Sequence, residues 1–220
     1  HDMGKTPYGQ RTVYVTQEGT VTGGKIRGSV MTGGLDFQLN FANGSMEIEE
    51  IFVLRTEDGK FIYMRSPGAA ADKNDVRMVP DFEAPNASAY SWLNAGKYAG
   101  RRIVDAAAKT LKISVYDVSG VAAAPNGKTI RVAKPADVQA QSWDYRKAAP
   151  GEQKGEQLIS ENVTLGAGQM VGATKKGNRN IIPITGGTLT GKITGKVLFG
   201  GADYQNLANP ATIDARYLWQ

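Results

Sequence analysis

Residues 172–205 read GATKKGNRNIIPITGGTLTGKITGKVLFGGADYQ, and residues 4–38 read GKTPYGQRTVYVTQEGTVTGGKIRGSVMTGGLDFQ. One gap, at Gly24, brings about half of the positions into identity, the mark of an internal repeat. Arg11 pairs with Arg179, Gly28 with Gly195, Gly33 and Gly34 with Gly200 and Gly201, Asp36 with Asp203, and Gln38 with Gln205. After a slightly shorter loop the match resumes, EIEEIFVLR at 47–55 against TIDARYLWQ at 212–220. Agreement across so many punctuating glycines reads as a duplication of one β-rich unit.

Within the first copy the pattern is that of strands. Thr12 to Thr16 is β-branched and aromatic, and Asp36 to Phe41 alternates polar with apolar side chains. Asn43-Gly44 is a hairpin signal before a strand from Met46 to Arg55. Glu57-Asp58-Gly59 turns the chain into a strand from Lys60 to Arg65, and Arg77 to Phe82 and Leu111 to Val118 read as further strands. A helix is expected over Ala87 to Ala95, with Asn86 as N-cap after Pro85. Short strands at this spacing predict an all-β fold of antiparallel barrel units, with a short helical lid.

The expected division is a first copy over 4–118, a linker over 119–157 and a partial second copy over 158–220. The linker is rich in Ala, Pro, Gly, Lys and Gln, with one extended piece at 128–132 and a docking aromatic pair, Trp143 and Tyr145. Leu158 to Gln169 reads as an opening strand without a counterpart in the first copy. The second copy has no counterpart of Thr56 to Val118. Completion by another segment or subunit is therefore expected, either as a homo-oligomer or by pairing with a second chain segment; a polypeptide continuing past Gln220 is the other remedy.

The motifs GNRNIIPITGGTLTGKITGKVLFGGADYQ and DARYLWQ, with RTEDGKFIYMRSPG from Arg55, FEAP from Phe82 and YSWLN from Tyr90, resemble those of a bacterial and fungal family known as domain of unknown function 3237. The resemblance covers nearly all of the chain except the linker. It implies a lipocalin-like antiparallel barrel for each copy and no established reaction, so it assigns no catalytic residue.

Composition narrows the chemistry. The chain has no cysteine, and His1 is the single histidine. Thiol nucleophiles, disulfides, Cys/His zinc sites and Ser-His-Asp triads are excluded, and no cofactor is expected. Catalysis would fall to carboxylates, Tyr, Lys, Arg, amides or an oxygen-ligated metal. Net charge is +5, but Lys and Arg are scattered, with short pairs such as Arg101-Arg102 and Lys175-Lys176, so nucleic acid is not expected as a partner. No run is apolar enough to span a bilayer, and no membrane partner is expected.

Asp36 and Gln38 share one face of a strand, as do Asp203 and Gln205. Lining a barrel interior, they would bind a polar ligand or supply a general base; otherwise Asp caps the Gly-Gly turn and Gln faces water. Glu49 and its counterpart Asp214 form a second acidic position, with Arg216 on the same face, either a surface ion pair or an anchor for an anionic or carbonyl group. Glu83, Tyr90 and Asn94 surround the expected lid, Glu83 and Asn94 at its mouth. Arg11 and Arg179 each head a strand and suit a salt bridge or a substrate contact. Asp36, Asp203 and Glu83 are the candidate proton-moving carboxylates. The expected role is handling a small organic molecule in a barrel, as a cofactor-independent isomerase, lyase or cyclase. The alternative is a non-catalytic binding or structural barrel.

Overall fold

The computed structural model describes residues 1–122, 156–208 and 211–220. The extended piece at 128–132 and the pair Trp143 and Tyr145 lie outside the described residues.

The strands of the described residues form two antiparallel sheets. The first holds 11 strands: β1 Asp2–Thr6, β2 Gly9–Val15, β3 Gly19–Val21, β4 Gly28–Val30, β5 Leu35–Asn40, β6 Met46–Thr56, β7 Phe61–Ala70, β8 Asp75–Met78, β9 Asp81–Glu83, β10 Tyr98–Asp105 and β11 Thr110–Asp117. Its main path runs β1-β2-β5-β6-β7-β8-β10-β11, with β4 joining the far end of β6, β3 beside β4, and β9 on β7. Among the described residues the path does not return on itself, so no closed barrel is found. The second sheet holds 6 strands: β12 Ile159–Leu165, β13 Gln169–Thr174, β14 Gly177–Gly191, β15 Gly195–Val197, β16 Ala202–Asn206 and β17 Thr212–Arg216.

Pairing registers coincide between the sheets. Val13 lies opposite Phe37 as Ile181 lies opposite Tyr204, and Phe37 opposite Glu49 as Tyr204 opposite Asp214. Gly19 faces Val30 as Gly187 faces Val197. Even the irregularities match, one between Asp2 and Gly4 and one between Met170 and Gly172.

The alternation of β6 explains where the core sits. Met46, Ile48, Phe52 and Leu54 point to the inner face of the first sheet. There Phe52 and Leu54 pack with Ile62, Met64, Phe82, Leu93 and Tyr98, and Met46 and Ile48 with Val76 and Met78. Ile51 and Val53 point the other way and meet the second sheet through Tyr63, Val171, Ile181, Ala202 and Tyr204. Both faces of β6 are thus buried, and each such apolar side chain contributes roughly 1.5–3 kcal/mol. The sheets are also tied through backbone, Asn86 N–H to the Ala173 carbonyl at 2.7 Å and Gly201 N–H to the Gly33 carbonyl at 2.8 Å.

Three expectations are corrected. The helix over Ala87 to Ala95 does not form; only a 3-10 turn, Ser91–Asn94, is present. Its residues are held as a loop by Asn94, whose side chain bonds both the N–H and the carbonyl of Ala84 at 2.8 and 2.9 Å. The strand expected over Arg77 to Phe82 is split into β8 and β9 around Pro80, which has no N–H to donate. The repeat match of TIDARYLWQ with the strand of residues 47–55 predicts a strand over Thr212 to Gln220, but it ends at Arg216, beyond which Trp219 makes one isolated pairing with Val197.

Candidate functional site

A charged cluster is built into the inner face of the first sheet. On β5 the alternation sends Leu35 and Phe37 outward and Asp36 and Gln38 inward. Asp36 lies opposite Glu50 on β6, and Glu50 opposite Ser66 on β7, so the three share one face. Arg102 arrives from β10, opposite Val76 of β8. Its Nε donates to Glu50 Oε1 and its Nη2 to Asp36 Oδ2, each at 2.5 Å, while Gln38 Nε2 donates to the same Asp36 oxygen at 2.7 Å.

Burial sets the electrostatics. Asp36, Glu50, Ser66 and Arg102 are 2%, 0%, 0% and 3% exposed, between the apolar clusters around Phe52 and around Ile48. Burial, with the negative charge of Asp36 added to it, pushes the Glu50 carboxyl up to about 8, against the pull of Arg102. Burial also raises Asp36, against Arg102 and its hydrogen bonds. Two carboxyls sharing one guanidinium are neutral as a set when they hold one proton between them, the arrangement that low-polarity surroundings favour. Four polar atoms here have no hydrogen-bond partner among the described residues: Asp36 Oδ1, Glu50 Oε2, Ser66 Oγ and Arg102 Nη1. Buried polar atoms in proteins are nearly always paired, so a concentration of four in one cluster is the most unusual chemistry described in the chain.

The other sequence candidates fall elsewhere. Glu83 is 0% exposed and lies at the junction of the sheets rather than at a mouth. Arg179 grips it at 2.8 and 2.9 Å, Thr174 donates to it at 2.9 Å, and the Arg179 guanidinium stands over the Tyr63 ring. Glu49 accepts from Arg65 and, at 2.7 Å, from Arg216, which also bonds the exposed Asp214. These ion pairs cement the two sheets. Asp203 is half-buried and opposite Ala215, and burial raises its carboxyl. Gln205 accepts from Asn180 at 3.1 Å. Arg11, half-buried on β2, lies opposite Leu39 of β5. Tyr90 donates to Asp58 at 2.8 Å, and Asn94 pins the loop. Of the sequence candidates, Asp36 and Gln38 alone sit in the inner cluster; Glu50, Ser66 and Arg102 complete it.

A crevice at the junction, between Gly33, Ile51, Gln169, Pro183 and Tyr204, has room for about one water. Among the described residues no group of three His, Cys, Asp or Glu side chains is placed to hold a metal ion.

Known proteins resemble parts of this chain, and their descriptions state no activity. A UPF0311 protein of Clostridium acetobutylicum is 32% identical over 73 residues, covering 33% of this chain and 42% of the relative. A UPF0311 protein of Bradyrhizobium diazoefficiens is 45% identical over 62 residues, covering 26% and 41%. The chain thus spans about two fifths of each of these relatives. A conserved protein of unknown function from Rhodopseudomonas palustris is similar in structure, with a TM-score of 0.46 and 27% identity over 52% of this chain and 85% of that one. A β-barrel-like protein from Acinetobacter baumannii gives a TM-score of 0.45 and 22% identity over 53% and 84%. The profile described as "Protein of unknown function (DUF3237)" matches residues 1–121 and 154–220, and with most of its length matched the chain belongs to the DUF3237 family.

Proposed function

We propose that the inner face of the first sheet handles a small polar organic molecule at Asp36, Glu50, Ser66 and Arg102, as a cofactor-independent isomerase, lyase or cyclase. The observation that carries this reading is the set of four unpartnered buried polar atoms. They comprise donors on Arg102 and Ser66, an acceptor on Asp36 and a carboxyl oxygen on Glu50. With one proton shared, Asp36 is the base and Glu50 the acid. In an isomerisation, Asp36 takes a proton from carbon beside a carbonyl, Arg102 holds the resulting enolate oxygen, and Glu50 returns a proton elsewhere on the molecule. No electrons leave the substrate, so no redox partner is needed.

The non-catalytic reading is favoured by a different observation: Asp36, Glu50 and Arg102 are almost fully shielded from solvent. A binder and an enzyme separate in one experiment. Small ketones and hydroxy acids are incubated with the protein in deuterated water, and C–H exchange is followed by NMR beside thermal stabilisation. Exchange abolished by Glu50→Gln supports catalysis, and stabilisation without exchange supports binding. Neither effect with any compound would sink both readings.

The two sheets are also read as copies of one ancestral unit, a reading supported by the coincident registers of β1 to β6 and β13 to β17. Deleting Gly24 should be tolerated if the loops are equivalent; loss of folding would count against this.

A further inference from the structure

The second sheet contains a strand, β12, at a position where the first has none among the described residues. β12 lies against the distal half of β14, with Glu161 opposite Leu189, Asn162 opposite Thr188 and Val163 opposite Gly187. On its other side this half of β14 pairs with β15 in the register by which β3 pairs with β4. Beside β3, the place corresponding to β12 holds no strand among the described residues. β11 has its outer edge unpaired among the described residues, and Ile113 on it packs against the same cluster around Phe52 as Val21 on β3 and Ile26.

Direction and shape agree. From β3 through β4, β6, β7, β8 and β10 to β11 every neighbour is antiparallel, so β3 and β11 run the same way. One intervening strand is then antiparallel to both, and it brings the ring to about eight strands, the size that side chains alone can fill. Glycines are already in place. A Cβ on Gly187 would collide with the Asn162 carbonyl, and one on Gly191 would lie 2.6 Å from the Leu158 carbonyl, so β12 needs glycine at both. Their counterparts are Gly19 and Gly23, where a Cβ would meet only the Val30 side chain at 3.4 Å and the Ile26 carbonyl at 3.3 Å. Among the described residues no strand fills the space that these glycines leave.

We propose that this position receives β12 from a second copy of the chain, by reciprocal exchange. The chain's own β12 is committed to the second sheet, which contacts the first through the outer face of β6 and β7. Without exchange three strand edges around this exchange, on β3, β11 and the outer side of β12, are unpaired among the described residues. Exchange covers all three and uncovers one, on β14. Ile159 and Val163, which pack against Leu189 and Val197, would meet the half-buried counterparts Val21 and Val30. Open strand edges are sites of association, and swapping an identical element between protomers is a low-cost way to close them.

The chain contains no cysteine, so a disulfide can test this without interference. Exchange places Asn162 of one copy opposite Thr20 of the other, as Asn162 lies opposite Thr188 now. Directly opposed strand residues lie within disulfide reach. Thr20→Cys and Asn162→Cys variants of the full chain are refolded together and oxidised. The expected product is a disulfide-linked pair formed only in the mixture, from wild-type protein that light scattering finds at twice the 23.5 kDa of one chain. Gly19→Ala, which β3 itself accommodates, should keep the circular dichroism spectrum and restore the single-chain mass. The disulfide decides: failure of the mixed pair to form, or links between like variants alone, overturns the exchange. A wild-type protein of single-chain mass at every concentration overturns it too.

Discussion

Arg102 on β10 and Glu50 on β6 meet on the inner face of the first sheet, guanidinium Nε to carboxylate at 2.5 Å, across 52 positions of sequence. The contact draws β10 over β6, and Asp36 completes a charged set with no exposed member. Such a set is costly to assemble and far costlier to leave half-assembled.

Stability should therefore fall as pH rises. Glu50 moves from an ordinary 4.5 to about 8 in the folded chain, and Asp36 shifts in the same direction. Both bind a proton more tightly when folded, so their contribution is complete below 4.5 and is lost as pH climbs through about 8. Urea midpoints measured across that window should drop, and Glu50→Gln should flatten the curve. A midpoint that rises across it would contradict the assignment.

Removing the cation should be severe. Arg102→Met strands two buried carboxyls and should cost on the order of 3–5 kcal/mol in guanidinium unfolding. Combining it with Glu50→Gln should cost less than the two losses added, with a coupling of about 1 kcal/mol or more. Simple additivity would show that the two groups do not interact.

Two neighbouring acids should behave differently. Glu83→Gln breaks a buried, bidentate contact with Arg179 and should cost roughly 1–3 kcal/mol. Asp81, 40% exposed at its side chain, pairs with Lys175 and Lys176, and Asp81→Asn should change stability by less than about 1 kcal/mol. Thermal melts of the two variants side by side provide the comparison, and equal losses would refute it.

Asn94 should matter as a clamp. Its side chain satisfies both backbone groups of Ala84, which is 0% exposed, and also donates to Asn86. Asn94→Ala should cost about 1–3 kcal/mol, and amide exchange should rise at Ala84. Unchanged protection there would remove the clamp from the account.

The strands of the inner core were legible because alternation speaks for itself at Asp36-Phe37-Gln38, where the polar pair and the aromatic residue must part. Glu50 was hidden by its neighbour: Glu47, Glu49 and Glu50 crowd a strand buried on both faces, so polarity could not mark the inside. Arg102 was masked in the same way by Arg101. The pair straddles β10, Arg101 pointing out to Asp75 and Arg102 inward, in a stretch whose glycine and alanine content conceals a strand. The expected helix at Ala87 failed because a side-chain clamp ten residues from its target outweighed local propensity.

The burial of Glu83 by Arg179 bears on the order in which the protein is made. The two lie 96 positions apart. At about 5–20 residues per second, a ribosome that has just produced Glu83 reaches Arg179 some 5–20 seconds later. Throughout that interval the nascent first sheet carries a carboxyl whose counter-ion does not yet exist, and the surface around Tyr63 stays wet. Translation thus imposes a waiting time on the junction, and the emerging chain is most vulnerable to proteases and to its neighbours before residues 158–220 leave the tunnel.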